Sequence, residues 1–217
     1  MRHSSSNAKT TSALVSGFHT RGGLPHLKRD GGTYFVTFRL AGTLPRDELV
    51  RLKEERETLL QQALAARRPL TWHEQEALFR WYAARVDQYL DAGHGECWLN
   101  RPQIARLVAD AIRFHQGRRF ELLAWCVMPN HVHVVVRPLP GWSLSRILKG
   151  WKGFTGREAN KLLTRTGRPF WQTESYDHLV RDENDRHRCC EYTILNPVNA
   201  RLCQRPEDWQ WSSAYRP

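Results

Sequence analysis

A short apolar run after a proline constrains the fold of this chain more than any other segment. Residues 128–136 read Met-Pro-Asn-His-Val-His-Val-Val-Val, and their β-branched valines favour a buried strand. Successive side chains of a strand point to opposite faces of its sheet. We therefore expect His131 and His133 on one face and Val132 on the other. Two imidazoles on one face of a rigid strand could form half of a site for a divalent metal ion.

A second segment further along the chain offers complementary side chains. Residues 191–197 read Glu-Tyr-Thr-Ile-Leu-Asn-Pro, and we expect a helix here that ends at Leu195. Tyr192 and Asn196 are four residues apart, so they should lie one turn apart on one helix face. A phenol and an amide oxygen presented together could supply a nucleophile and a further metal ligand. The two segments together indicate metal-assisted attack of a tyrosine on a phosphodiester.

The remaining pattern predicts an α+β fold. Apolar or alternating runs predict strands at 33–40, 120–127, 132–137 and 175–181. Helical spacing and capping residues predict helices at 103–116, 143–163 and 182–195. Without the segment 44–93, the order is βαββαβ followed by a C-terminal helix that carries Tyr192. This order is the ferredoxin-like pattern, an antiparallel sheet with helices packed on one face.

The segment 44–93 is predicted to be a helical insertion. Amphipathic helices are expected over 46–66 and 71–90, the second with Thr71 and Glu74 as a capping box. The pattern gives no physical reason for this insertion. We expect residues 31–217 to form a single domain, preceded by a flexible basic arm over residues 1–30.

The charge balance points to a polyanionic partner. The chain has a formal net charge of +11 and a pI near 9.9, which favours nucleic acid. Several of its nine tryptophans stand beside basic residues, as in residues 149–152, Lys-Gly-Trp-Lys. Such interleaving suits single-stranded nucleic acid, whose bases stack on aromatic rings while cations follow the backbone. Most of these tryptophans are nevertheless expected in the core.

Cysteine usage and hydropathy indicate the cellular compartment of the protein. The five cysteines stand at 97, 126, 189, 190 and 203 without a CxxC pair, so neither a zinc finger nor a disulfide framework is indicated. No apolar stretch approaches the length of a membrane span, and the first 30 residues lack the apolar core of a signal peptide. We expect a soluble, cytoplasmic protein.

The two motifs together resemble a known family. His131-Val132-His133 resembles the HUH motif, which is histidine, a bulky apolar residue and histidine. Combined with the segment Tyr192–Pro197, it resembles the REP-associated tyrosine transposases, a group of single-tyrosine HUH transposases. The resemblance extends over about residues 30–215 and includes three further segments, 34–39, 170–172 and 208–213.

This resemblance implies a metal-dependent endonuclease and strand transferase. Its substrate would be single-stranded DNA with hairpins formed by repeated extragenic palindromes. Mg²⁺ or Mn²⁺ would be held by His131, His133 and Asn196, and Tyr192 would attack phosphorus and leave a 5′-phosphotyrosine. A free phenol is protonated at neutral pH, so a nearby cation or the metal is expected to assist. We expect a monomer, with a dimer as the alternative.

Three alternatives stay open at this point. Tyr176 competes as nucleophile, but Tyr192 is preferred because it has an amide partner one helical turn away. A non-catalytic protein that binds single-stranded nucleic acid would explain the basic composition. A metal nuclease that activates water would usually bring carboxylate ligands, and Asp177, Asp182 and Glu183 are near in sequence.

Overall fold

Two antiparallel sheets organise the part of the chain that the structure describes. This structure is a computed structural model, which describes residues 17–21, 24–44, 47–48, 50–51, 54–55, 58, 61 and 72–217. The strands are β1 (Gly17–Arg21), β2 (Leu24–Lys28), β3 (Tyr34–Arg39), β4 (Phe120–Val127), β5 (His131–Pro138) and β6 (Tyr176–Leu179). A central sheet has the order β4-β5-β3-β6, and β1 and β2 form a separate hairpin. All pairs are antiparallel.

Four long helices complete the described fold. They are α1 (Trp72–Asp91), α2 (Pro102–Arg113), α3 (Leu144–Leu162) and α4 (Glu183–Asn199). The predicted βαββαβ order with an added C-terminal helix is confirmed. The described residues between 47 and 61 are also helical, in agreement with the expected insertion. Thr71 lies outside the described residues, so its capping role stays a prediction.

The two faces of the central sheet are covered differently. On one face, alternate residues of β3 and β5 join α2 and α3 in the main core, among them Val36, Val134 and Ile112. On the opposite face, Phe35 and Val135 pack against α4. The expectation of helices on one face therefore holds for α2 and α3, whereas the added helix α4 covers the other. Residues two apart on β5 share a face, so this second face is also the histidine face.

Helix α4 begins where the sequence predicts and ends later. The side chain of Asp182 accepts a hydrogen bond from the backbone nitrogen of Asp185 at 2.8 Å, as a capping residue does. The predicted end at Leu195 is wrong, because the helix continues through Pro197 to Asn199. Proline removes one N–H donor, but the bond from Ala200 to the Asn196 carbonyl keeps the last turn helical. Asn196 therefore lies on regular helix rather than on a frayed end.

The tryptophan-rich C-terminal segment covers the outer edge of β4. The backbone nitrogen of Val127 donates to the Trp211 carbonyl at 2.8 Å, and that of Ser213 donates to the Trp125 carbonyl at 2.9 Å. The indole of Trp209 donates to the Val127 carbonyl at 3.0 Å. Unpaired strand edges invite association with other chains, so this segment serves the fold by closing one edge.

The hairpin of β1 and β2 lies within the segment that was expected to be a flexible arm. In its register Gly17 faces Lys28 and Arg21 faces Leu24, and β2 lies beside β6. The sequence pattern did not predict these strands, and residues 1–16 lie outside the described part. Among the described residues, no helix combines the length and the apolarity that crossing a membrane requires.

A substitution in the main core should test this packing. Ile112 is fully buried on α2, whereas Phe114, just after the helix, is 73% exposed. We expect Ile112→Ala to lower the free energy of unfolding by about 2–5 kcal/mol because it leaves a cavity. Phe114→Ala, the control, should change it by less than about 0.5 kcal/mol. Urea denaturation followed by circular dichroism measures both, and equal effects would contradict this description of the core.

Candidate functional site

The two histidines of β5 face each other beneath α4. Both side chains are fully buried, and the Nε2 atoms of His131 and His133 are 2.9 Å apart. The prediction that they share one face is therefore confirmed. The separation is close to the about 3 Å expected between adjacent ligands of an octahedral ion with bonds of about 2.1 Å. The strand thus presents two ring nitrogens toward one point.

The other ring nitrogens fix this orientation. Nδ1 of His131 lies 2.7 Å from Oδ1 of Asn130, and Nδ1 of His133 lies 2.8 Å from Oγ1 of Thr37. Such partners orient an imidazole and set which nitrogen carries the proton. Because Oδ1 of Asn130 can only accept, the proton of His131 belongs on Nδ1, which leaves Nε2 with a free lone pair.

Asn130 also connects the histidine strand to the end of α1. Its Nδ2 donates to the carbonyls of Leu90 and His94 at 3.0 and 3.1 Å, which assigns its Oδ1 to His131. Sequence reasoning assigned no role to this asparagine, although it stands directly before the first histidine. A buried amide next to a candidate ligand was the signal that could have identified it.

Burial keeps both imidazoles neutral. Burial, with the neighbouring His133 second, holds the pKa of His131 well below its usual range, and the side chain of Asn196 partly offsets this. Burial also lowers the pKa of His133 to about 3. Both rings are therefore unprotonated at neutral pH, which is the state in which histidine binds a metal ion.

Asn196 lies beside this pair with both of its polar atoms buried. Its side chain is fully buried on α4, and neither Oδ1 nor Nδ2 has a hydrogen bond partner among the described residues. A buried amide without partners is costly. Its side chain raises the pKa of His131, against the larger effect of burial. A buried amide oxygen beside the ring nitrogens of His131 and His133 fits a divalent cation.

The ring of Tyr192 packs edge-on against the histidine pair. The ring centroids of Tyr192 and His133 are 5.5 Å apart, and those of Tyr192 and Phe35 are 5.7 Å apart. The phenol donates a hydrogen bond to Oδ2 of Asp87 at 2.9 Å. Burial first, then the nearby Asp87 carboxylate, raises the pKa of Tyr192 above its ordinary value. The group that meets the phenol is thus a carboxylate rather than the cation considered above.

Two carboxylates of α1 reach this site, and sequence reasoning missed both. Asp87 is buried, and its pKa is raised to about 7 by burial, an effect that its hydrogen bond from Tyr192 opposes. Oδ1 of Asp91 lies 3.7 Å from Nε2 of His131, and burial raises the pKa of Asp91 to about 6. The available signal was their i, i+4 spacing, which places both on one face of the insertion helix.

The competing residues from the sequence analysis have other contacts. Tyr176 is on β6 and packs edge-on against Phe35 at 6.0 Å. Asp182 caps α4, and the exposed Glu183 forms an ion pair with Arg186. The ring of Tyr192 contacts His133 of the pair.

A second group of potential ligands is occupied by ion pairs. Donor atoms of His178, Asp185 and Cys189 lie within 4.8 Å of one another. Asp185 accepts from His178 at 2.8 Å, from Arg181 at 3.3 Å and from Arg188 at 3.2 Å. Burial opposes its ionisation, but the hydrogen bonds from His178 and the Arg181 backbone outweigh this and lower the pKa of Asp185 to about 2. These contacts fit an anchor between β6 and α4 rather than a metal site.

Arginine guanidinium groups lie over two tryptophan rings, where bases could otherwise stack. Each ring has two arginines over it at centroid distances of 4.2 to 5.0 Å: Arg119 and Arg146 at Trp142, and Arg101 and Arg165 at Trp98. Cation–π contacts hold such cations in place. Basic charge is therefore fixed at two points of the surface, where it can meet phosphates.

Comparison with known proteins agrees with this arrangement. Residues 101–192 match the family model described as Transposase IS200 like, a segment that contains both histidines and ends at Tyr192. The chain is 28% identical over 109 residues to the REP-associated tyrosine transposase of Escherichia coli (strain K12). This match covers 48% of this chain and 61% of that protein. The chain is similar to the REP-associated tyrosine transposases. The resemblance predicted from its sequence is thereby confirmed.

A solved structure has a fold similar to that of this protein. It is that of a REP-associated tyrosine transposase bound to a REP hairpin, with a TM-score of 0.50 and 17% sequence identity. The likeness covers 88% of this chain and 82% of that one. At this identity the comparison concerns the fold alone, and it agrees with the ferredoxin-like sheet described above.

The raised pKa of Asp87 predicts how the stability of the protein depends on pH. The folded protein should keep a proton on Asp87 up to about pH 7, while the unfolded chain releases it near the ordinary value of 3.8. The free energy of unfolding should therefore fall as pH rises through this window. Asp87→Asn should lack this component, which amounts to up to about 4 kcal/mol. Both proteins share the histidines, whose lowered pKa values act in the opposite direction.

Denaturant unfolding in EDTA at several pH values between about 4 and 8 measures this difference. Gln88→Ala, an exposed neighbour on α1, is the control and should follow the parent protein. If the free energy of unfolding depended on pH in the same way in the parent and in Asp87→Asn, the assignment of a buried, protonated carboxyl group would be wrong.

Proposed function

We propose that this protein is a metal-dependent endonuclease and strand transferase of single-stranded DNA that acts through a 5′-phosphotyrosine on Tyr192. Its substrate would be hairpin-forming, repeated palindromic DNA. The observation that carries the proposal is the meeting of Tyr192 with the paired imidazoles of His131 and His133 in one buried site. The family match of residues 101–192 supports the reaction class. Since the chain spans 61% of the length of its E. coli relative, the activity of the whole protein is part of the proposal.

The residues around this point fit a divalent ion, either Mg²⁺ or Mn²⁺. His131 and His133 would bind it through Nε2, and Asn196 would bind it through its unpaired amide oxygen. When bound, the ion would polarise the scissile phosphate and stabilise the charge that develops in the transition state. Asn130 and Thr37 keep both imidazoles turned toward it.

Tyr192 performs the covalent step in this proposal. Packing against Phe35 and His133 holds its ring, which positions the oxygen for in-line attack on phosphorus. The 3′-oxygen leaves, and the phosphate stays on the enzyme as a 5′-phosphotyrosine. This link conserves the phosphodiester energy, so rejoining requires no nucleotide triphosphate. The phenol is protonated at neutral pH, so its proton must be taken up during attack.

The surface chemistry supports single-stranded DNA with hairpins as the partner. The chain has a net charge of +11, and arginines are fixed over Trp98 and Trp142. The solved relative was captured on a REP hairpin, which supports the same substrate class for this chain. Tyr192 and the histidines of one chain meet in one site, which supports a functional monomer over the dimer alternative.

A metal nuclease that uses water is the second candidate. Asp87 and Asp91 bring the carboxylates that such enzymes usually require. It would cleave DNA without a covalent intermediate, whereas a binding protein would neither cleave DNA nor form an adduct. Cleavage and a denaturation-resistant adduct between protein and DNA, measured together, therefore separate the three functions.

Replacing the nucleophile should remove the adduct. Tyr192→Phe keeps the ring packing and removes the attacking oxygen, so DNA affinity should persist while covalent capture disappears. Tyr176→Phe is the matched control and should still form the adduct. Denaturing gel electrophoresis with a labelled hairpin oligonucleotide measures both. An adduct in Tyr192→Phe together with none in Tyr176→Phe would reverse the assignment.

Removing the metal ligands should stop cleavage. His131→Ala and His133→Ala should abolish it, and EDTA should do the same to the parent protein. Asn196→Ala should be milder, because water can occupy one position on Mg²⁺. Cleavage assays with added Mg²⁺ or Mn²⁺ establish this ranking. Full activity of the parent protein in EDTA would remove the metal from the mechanism.

The substrate preference follows from charge and stiffness. Duplex DNA is stiff over about 150 base pairs, whereas a flexible single strand beside a hairpin can bend to a buried tyrosine. We expect tighter binding of hairpin-plus-tail oligonucleotides than of blunt duplex of equal length. Affinity should fall with salt, with a log–log slope of about −0.7 per neutralised phosphate in the single strand. Fluorescence anisotropy across a salt series measures this, and equal cleavage of blunt duplex would refute the single-strand assignment.

A further inference from the structure

We infer that Asp87 is the catalytic residue that takes the proton from Tyr192, and that helix α1 of the insertion brings it to the site. The inference rests on the proposed function and deepens it. It names the group that activates the nucleophile and gives the insertion a chemical role.

The contact is direct and firmly anchored. Oδ2 of Asp87 lies 2.9 Å from the phenol oxygen of Tyr192, although the two residues are 105 positions apart in the chain. Val86 and Leu90, on either side of Asp87, pack with Leu44 in a small apolar cluster. Asn130 holds the last turn of α1 through the Leu90 carbonyl. The base is therefore positioned by the same asparagine that orients His131.

A purely structural role would not require a carboxylate. A phenol needs only one neutral acceptor when it is buried, whereas an ionisable acid at 6% exposure is costly without a cation. No ion pair joins Asp87 to a cation within the described residues. The groups that face it are the phenol of Tyr192 and, one turn along α1, the carboxylate of Asp91. Tyr176 of β6 makes a small contribution to the raised pKa of Tyr192. A buried acid against a nucleophile is the arrangement of a general base.

As the Tyr192 oxygen bonds to phosphorus, its proton passes to Oδ2 of Asp87, and the bond from phosphorus to the 3′-oxygen breaks. The departing oxygen keeps the electron pair and takes a proton from water. In rejoining, a 3′-hydroxyl loses its proton to water and attacks phosphorus. The bond from phosphorus to the Tyr192 oxygen breaks, and Asp87 returns its proton to the leaving phenol oxygen.

The test measures single-turnover adduct formation on a hairpin-plus-tail oligonucleotide with Mn²⁺. Asp87→Asn keeps the shape and an acceptor but cannot take a proton, so the rate should fall roughly 10²- to 10⁴-fold. DNA affinity should stay within about twofold, since only the chemical step is affected. Gln88→Ala, exposed on the same helix, should retain the parent rate.

A more acidic phenol then distinguishes a base from a positioning group. Trifluorotyrosine at position 192 loses its proton more easily, so its attack depends less on a general base. It should recover most of the rate lost in Asp87→Asn and change the parent much less. A full rate in Asp87→Asn, or a loss that trifluorotyrosine does not recover, would overturn the inference. Absence of any adduct in the parent protein would instead refute the proposed function.

The structure assigns a second, separate role to Asp91 as a ligand of the same metal ion. Its Oδ1 is buried without a hydrogen bond partner among the described residues and lies 3.7 Å from Nε2 of His131. His131, His133 and Asn196 are neutral ligands, so a carboxylate would supply the charge that they lack. Hard cations prefer such oxygen ligands.

Metal binding without DNA tests this role independently of catalysis. Mn²⁺ affinity, measured by calorimetry and by electron paramagnetic resonance, should weaken by at least about tenfold in Asp91→Asn. Glu96→Gln, an exposed carboxylate five residues away, should leave it unchanged. Equal affinities of Asp91→Asn and the parent would exclude Asp91 as a ligand. If neither the parent nor His131→Ala binds Mn²⁺, the proposed metal site itself fails.

Discussion

The close approach of two buried imidazoles on β5 is the interaction on which the rest of the site depends. His131 and His133 can lie 2.9 Å apart only because each ring is held from behind. Asn130 holds the first, and Thr37, opposite His133 in the sheet, holds the second. Burial keeps both rings neutral. The sheet thus supplies a rigid pair of nitrogen ligands before any substrate arrives, which favours preorganised catalysis.

Helices from two distant parts of the chain close this site from outside the sheet. Helix α4 adds Tyr192 and Asn196, and α1 adds Asp87 and Asp91. The reactive groups of the proposed mechanism therefore come from three elements with separate sequence positions. In that mechanism the strand would hold the metal, α4 would carry the nucleophile, and α1 would bring carboxyl groups. The proposal thereby gives the helical segment outside the βαββαβ core a chemical role.

Motifs of the resemblance outside the site serve the fold. The segment at Trp209–Ser213 covers the edge of β4 through backbone and indole hydrogen bonds. Trp171 donates to the hydroxyl of Thr155 on α3 at 2.9 Å and packs edge-on against Phe38 of β3. The arginines over Trp98 and Trp142 place cations at the surface instead of leaving rings open. The sequence analysis identified segments 170–172 and 208–213 through the family resemblance, and their physical roles became visible only through their partners in the structure.

The sequence by itself determined what depends on local periodicity. A period of two put His131 and His133 on one face, a spacing of four put Tyr192 and Asn196 on one helix face, and the order of elements indicated the ferredoxin-like sheet. Tertiary structure decided the rest: the face that α4 covers, the later end of that helix, and the arrival of Asp87 at the phenol of Tyr192. The physical reason is that propensity and periodicity act over only a few neighbouring residues. Contacts between elements 105 positions apart depend on how complete apolar surfaces pack, which no local pattern specifies.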